Sequence, residues 1–306
     1  MNHFPVSLSD NPGFALLSHK PPVYAVVFVH GFLGHPRATW LDFQNLAGGR
    51  PEWIASDLFF YAYKSQDQVP VLAQGLENFV ARLAAGREGQ VASLYFQAPS
   101  LASANLLNAS PYAQANRGQA PYEKLILVGH STGALVIREM IRSRIARVEG
   151  KPVGQPKAKV DRSDEFLLLS TLRFFAPAHL GAMVSGKLGI VQSIPLIDRF
   201  LAGYFRSNAL YQNLQPTSPT VASLKSATEG FAEKYEWPAL RAISMFGVHE
   251  EIVFVGHYKN DAEDVLVPNR NHTSVCKPHR EYLDPLRFIE EGYAATAGRG
   301  QDNANR

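Results

Sequence analysis

Apolar positions along this chain fall into two alternating kinds of run. Val23-Tyr24-Ala25-Val26-Val27-Phe28-Val29 is β-branched and almost unbroken by polar residues, the pattern of a parallel strand buried on both faces. Leu58-Phe59-Phe60-Tyr61-Ala62-Tyr63 repeats it, and residues 125–128, 166–175, 240–246 and 265–267 read as four further strands. Between these runs the period changes to that of a helix. Leu72, Leu76, Phe79, Val80 and Leu83 predict a helix over 71–85, closed by Gly86 as a stop signal. Shorter or later helices are expected at 38–47, from the segment after residue 131 to about 148, and at 285–295. This alternation predicts an α/β fold with a mostly parallel central sheet and helices on both faces.

Two stretches break the rhythm. Residues 90–122 are rich in small and amide side chains and carry Pro99, Pro111 and Pro121, so they are expected to form an insertion lying over the fold. Residues 183–237 interrupt it again, and Leu188, Val191, Ile194, Ile197, Phe200, Leu201, Tyr204 and Phe205 follow helical spacing with a broad apolar face. That segment is expected to be a helical cap. A single domain over 1–295 accommodates both, with a disordered tail at 296–306.

Composition narrows the function classes. The chain has 306 residues, 46% of them hydrophobic, enough for one large core. Its 30 basic and 27 acidic side chains leave a charge of +3, too small for a phosphate-tracking surface, so no nucleic-acid partner is expected. The lone cysteine, Cys276, excludes an internal disulfide framework. The first residues lack the basic and apolar regions of a signal peptide, and no apolar run approaches bilayer length. A cytoplasmic, soluble protein is expected, with peripheral membrane contact at most.

The chemistry centres on Gly129-His130-Ser131-Thr132-Gly133, which follows a predicted strand and precedes a predicted helix. A serine on such a sharp turn projects its hydroxyl above the sheet, and small neighbours let the turn close. Ser131 is the candidate nucleophile. A serine of this kind needs a base, a carboxylate to orient the base, and two donors for the developing oxyanion. In doubly wound sheets such groups gather beyond the carboxyl ends of strands. Among ten histidines, His272 lies shortly after the last predicted strand, where the serine, acid, histidine order places the base, with His279 as its alternative. The acid is expected in the loop after 240–246. There Glu250 is preferred and Glu251 is its alternative, with Asp264 and Asp261 nearer the final strand. Backbone N–H groups of Phe32 and Thr132 are the expected oxyanion donors. His30 and His130, which flank the site, are expected to hydrogen-bond loop backbone.

Competing motifs fail on chemistry. Gly181 to Lys187 has the spacing of a phosphate loop, but Leu188 replaces the hydroxyl residue that would ligate magnesium. His249-Glu250 is followed by Val253 where a zinc-protease helix needs a second histidine. No metal site and no cofactor is expected.

These residues resemble a known family, the α/β-hydrolase superfamily, and within it serine esterases similar to the serine active-site-containing and PGAP-like lipase group. The likeness rests on Val29-His30-Gly31-Phe32-Leu33-Gly34 with Thr39-Trp40, on Tyr61-Ala62-Tyr63-Lys64-Ser65, and on the serine pentapeptide. It continues in Phe174-Phe175-Ala176-Pro177 with Gly181, and in His272 with Cys276-Lys277-Pro278. The chain departs from the family pattern at Ala176-Pro177-Ala178-His179-Leu180-Gly181, at Thr132, and at Glu250-Glu251, where an Asp-Gly is usual. The resemblance implies the α/β-hydrolase fold, a nucleophile at Ser131, a base at His272, an oxyanion hole at Phe32 and Thr132, and a small-molecule ester substrate, often lipid-like. On the same fold the alternatives are a lipase or phospholipase, an acyltransferase, and a catalytically silent scaffold that binds a ligand or protein.

Overall fold

The computed structural model describes residues 3–7, 13–18, 22–47, 50–85, 122–149, 161–182, 208–216 and 218–297. Eight strands are β1 (His3–Ser7), β2 (Phe14–Ser18), β3 (Tyr24–Val29), β4 (Ser56–Tyr61), β5 (Lys124–His130), β6 (Thr171–Phe175), β7 (Ala242–His249) and β8 (Val265–Asn271). They form one sheet in the order β1-β2-β4-β3-β5-β6-β7-β8. The hairpin β1–β2 and the β2–β4 pair are antiparallel, and every pair from β4 to β8 is parallel. Each side chain described on β4, β5 and β6 except Lys124 is buried, so both faces of the sheet's centre are covered.

The helices are α1 (Phe43–Ala47), α2 (Val69–Ala85), α3 (Thr132–Glu149), α4 (Arg162–Leu168), α5 (Ala209–Asn213), α6 (Pro219–Lys234) and α7 (Asp284–Ala297). One packed group joins α2, α3 and α4. Arg144 of α3 ties it together, pairing with Asp164 of α4 and, at 3.2 Å, with the buried Glu77 of α2. A second anchor holds α7, whose Glu290 pairs with Arg50 and accepts from Trp53 Nε1 at 2.8 Å. Aromatic rings fill the sheet between these helices. Phe14, Phe60 and Phe28 stack across β2, β4 and β3 at 4.4 and 4.6 Å, and Trp40 meets Phe28 edge-on at 5.1 Å. Each such burial is worth about 1.5–3 kcal/mol.

Several expectations change. Residues 166–175 are not one strand: Asp161 caps α4 by accepting the Asp164 N–H at 2.8 Å, and Asp164 returns the bond to the Asp161 N–H. That capping box starts a helix, so Phe166, Leu167 and Leu168 are buried on α4 and the strand is confined to β6. The amino-terminal hairpin was not expected, because its strands are short and its first side chains alternate weakly. The helix at 38–47 contracts to α1. The insertion expected at 90–122 lies outside the described residues except for Tyr122, whose hydroxyl donates to the buried Asp57 at 2.6 Å. Of the cap expected at 183–237, residues 183–207 and the whole apolar pattern of 188–205 lie outside as well. The remainder holds α5 and α6, with α6 packed against α3. The tail expected at 296–306 begins within α7, and 298–306 lie outside. Among the described residues no helix is long and apolar enough to cross a membrane.

Candidate active site

Four of the parallel strands, two on each side of β6, hand a motif residue to the same end of the sheet. β3 ends immediately before His30-Gly31-Phe32, β5 before Ser131, β7 before Glu250 and β8 before His272. Parallel strands place all their carboxyl ends on one side, which is why residues more than two hundred positions apart meet there.

Ser131 occupies the turn between β5 and α3 with a φ of 53°, in the left-handed region that side chains with a Cβ seldom adopt. Surrounding bonds hold it there. Its N–H donates to the Phe175 carbonyl at 3.0 Å, and its own carbonyl accepts from Ala134 and Ala178 at 3.1 and 3.2 Å. The turn also needs a glycine at 133, since a Cβ there would lie 2.1 Å from the Val29 carbonyl oxygen. The Gly31 loop packs as closely, so that a Cβ on Gly31 would come within 2.8 Å of the Ser131 Cβ. Backbone of the β3 loop is thereby pressed against the serine turn, with Phe32 partly buried and Thr132 fully buried beside it.

His272 and Glu250 form a buried pair. The imidazole Nδ1 lies 3.1 Å from both carboxylate oxygens, and the two side chains are 9% and 1% exposed. Glu250 is itself held, since its Oε1 accepts the N–H groups of Ile252 and Val253 at 2.9 and 3.0 Å. A carboxylate so placed draws the imidazole proton to Nδ1 and leaves Nε2 as an acceptor. The other candidate acids are elsewhere. Glu251 is exposed, Asp264 pairs with His257 at 3.2 Å, and Asp261 pairs with the buried Arg138. Burial raises the Asp264 carboxyl above the usual carboxylate range.

Flanking histidines bond to backbone. His30 donates from Nδ1 to the Gly31 carbonyl at 2.8 Å and accepts the Tyr63 N–H at Nε2, while the Tyr63 ring stacks on it at 4.3 Å and the Tyr63 hydroxyl donates to the His30 carbonyl at 2.7 Å. Burial lowers the His30 pKa. His130 donates from Nε2 to the His272 carbonyl at 2.9 Å. Burial, then the neighbouring His272, push its pKa down to about 3. Cys276 is buried, its thiol pushed up to about 12 by burial, and it donates weakly to the Thr39 carbonyl at 3.3 Å.

Two contributions escaped the sequence pattern. Tyr63 stood in the motif Tyr61-Ala62-Tyr63-Lys64-Ser65, but nothing in the sequence pointed to its locking of the His30 loop. The second is a bulge: between Gly247↔Val267 and His249↔Asn271, β8 uses four steps where β7 uses two. Asn269 takes a φ of 57° there, and a Cβ on Gly247 would lie 2.3 Å from Arg270 backbone. Such irregularities re-aim the chain beyond them, and the residue just beyond this one is His272. Among the described residues no group of three or more His, Cys, Asp and Glu side chains is placed to hold a metal ion.

No protein-family model matches the chain, and no curated protein does. Solved structures do. Esterase B from Lactobacillus rhamnosis, in its C6-C4 SN3 inhibited form, superposes with a TM-score of 0.52 at 11% identity over 100% of this chain and 91% of that one. The mature form of the Bacillus licheniformis lipase BlEst2 gives 0.49 at 13% identity, covering 94% and 96% of the two chains. A monoacylglycerol lipase from Paleococcus ferrophilus gives 0.47 at 10%, covering 97% and 100%. A mostly parallel sheet, the strained serine turn between β5 and α3, and the superposition on esterase B together show that the chain has the α/β-hydrolase fold.

Proposed function

We propose that the protein is a serine carboxylic-ester hydrolase, with Ser131, His272 and Glu250 as its triad and the backbone N–H groups of Phe32 and Thr132 as its oxyanion hole. The observation that carries this reading is the buried His272–Glu250 pair, 3.1 Å apart and one residue beyond β8 and β7, at the edge where Ser131 tops its strained turn. In the reaction, Ser131 Oγ bonds to the ester carbonyl carbon as its proton passes to His272 Nε2. The carbonyl oxygen takes up the negative charge beside the two N–H groups. The carbon–alkoxy bond then breaks, the alcohol leaves with the proton from His272, and water repeats the sequence to free the acid and Ser131. Glu250 keeps its charge throughout and stabilises the transient imidazolium. No metal or cofactor enters these steps.

An apolar or lipid-like ester is the proposed substrate, in line with the narrower resemblance to PGAP-like esterases; esterase B supports the ester class by its name only. The cap expected at 183–237 is the proposed source of an acyl pocket, and a cytoplasmic location is part of the same proposal. A fluorophosphonate probe tests the reading without knowledge of the substrate. Ser131 is expected to be the labelled residue, and Ser131→Ala to abolish both labelling and hydrolysis of short p-nitrophenyl esters. Labelling that survives the substitution defeats the assignment. Absence of labelling in the wild-type protein favours a silent scaffold, and transfer of the acyl group to an added alcohol in preference to water favours an acyltransferase.

A further inference from the structure

We propose that His130, the residue before the nucleophile, is a positioning residue whose Nε2–H holds the main chain of His272, so that one side chain sets the base relative to both the serine turn and Glu250. The proposal rests on the triad reading and extends it to a group that touches no reacting atom.

The geometry is specific. His130 closes β5 and Ser131 follows it, so the ring is fixed to the backbone that carries the nucleophile. Its Nε2–H reaches the His272 carbonyl at 2.9 Å. The next polar contact of His272 is Nδ1 to Glu250. The two imidazoles lie 5.0 Å apart at 51°, and Trp40 meets the His130 ring edge-on at 6.3 Å, which limits its rotation. A carbonyl can only accept, so the bond requires the proton on Nε2; Nδ1 is left buried, with no hydrogen-bond partner. The backbone of His272 comes from a bulged strand end, where the ladder alone does not define its position. A side-chain bond to its carbonyl supplies the missing restraint.

The same ring must also remain neutral. A second cation 5.0 Å from the imidazolium formed during acyl transfer would oppose that charge. Burial keeps His130 uncharged, and the titratable groups facing it from other elements, His272 and Lys277 after β8 and His30 after β3, act in the same direction. A lysine or arginine could donate to the same carbonyl but would carry charge into the site, whereas a neutral histidine donates without it.

Met and Gln at position 130 test this, since they are close in length and volume and only Gln can donate. His130→Met is expected to lose the low-field proton resonance of His272 Nδ1–H. Its kcat should fall about ten- to a hundredfold, the size of effect that loss of alignment produces, with KM changed by less than about twofold. His130→Gln is expected to restore the resonance and most of kcat. A folded His130→Met that keeps both overturns the proposal, and so does a folded His130→Gln as impaired as the Met variant. If His130→Met does not fold, ¹⁵N shifts of His130 in the wild-type protein decide: a protonated Nε2 and a bare Nδ1 support the latch, and the opposite tautomer or a cation overturns it. The resonance is read without turnover. A protein that hydrolyses no ester yet shows the Met and Gln pattern supports the latch while defeating the hydrolase reading.

Discussion

Glu250 takes the N–H groups of Ile252 and Val253 on Oε1, and that bonding decides what an amide at this position would do. In Glu250→Gln the amide oxygen stays with those two donors, so the –NH₂ faces His272 Nδ1. Two donors then confront each other unless His272 gives up its Nδ1 proton and adopts the wrong tautomer for a base. Turnover is therefore expected to fall by about 10⁴, the scale seen when a triad carboxylate becomes an amide. Glu251→Gln, at an exposed side chain, and Asp264→Asn, which faces His257, are expected to leave turnover near the wild-type value. Steady-state kinetics of the three variants checks the assignment, and a crippled Asp264→Asn with an active Glu250→Gln would reverse it. At this scale the sequence narrowed the proposed acid to a loop and preferred Glu250 to Glu251 by chain order. The bonds of Glu250 to His272 and to two backbone donors lay beyond the sequence, because they depend on side-chain direction.

At the scale of elements, β8 shows how a strand end becomes a site. Its residues alternate poorly, with Val265 and Leu266 both exposed and Pro268 interrupting the ladder, so only 265–267 could be read as strand. The structure continues the strand to Asn271 through a bulge that Gly247 makes possible by letting Arg270 backbone approach. Gly247→Ala places a methyl 2.3 Å from the Arg270 carbonyl carbon. Backbone must move to admit it, at a cost of about 1–3 kcal/mol. The displaced end of β8 is expected to lower ester turnover about tenfold or more even though no triad residue has changed. Thermal unfolding and kinetics of the purified variant test both effects, and wild-type values for each would mean that the bulge is passive. α4 carries the complementary lesson. The apolar run at 166–175 suits either element, and the capping box at Asp161 and Asp164 settled the first half as helix.

Across the whole molecule, buried neutral histidines link stability to pH. His130 and His179 are both held at about 3, with burial as the larger cause; nearby charge adds to it, His272 for the first and Arg138 for the second. In the unfolded chain each returns to about 6.5. Above that pH neither state binds these protons, and stability does not depend on them. Below it the unfolded chain is protonated and the folded one is not, so stability falls as the pH drops from about 6.5 toward 3, with a slope approaching about 1.4 kcal/mol per unit for each histidine. Urea midpoints at pH 7.5 and 5.5 are expected to differ in that direction, with the lower midpoint at 5.5. Equal midpoints would show that both rings accept protons in the folded state. Arg138 of α3 and Asp261 belong to the same buried region, each side chain 1% exposed. Asp261 also accepts the N–H groups of Ala242 and Tyr258 at 2.8 and 3.0 Å, so it pins the chain between β7 and β8 to α3.

By itself the sequence determined what depends on local period and local shape: the alternation of strands and helices, the parallel sheet, and the strand–turn–helix around Ser131. Those features depend on which residues a buried strand or a tight turn can hold, and they are written in consecutive positions. It also brought His272, the proposed base, to the site by chain order, since the carboxyl ends of parallel strands share one edge. Tertiary structure alone decided the contacts between segments far apart in the chain. It turned Glu250 toward His272, bound His272 backbone to His130, locked His30 under Tyr63, and bulged β8 so that its end reaches the serine turn. None of these has a period or a spacing, because each depends on the direction of one side chain in a packed neighbourhood, and only the folded chain supplies that direction.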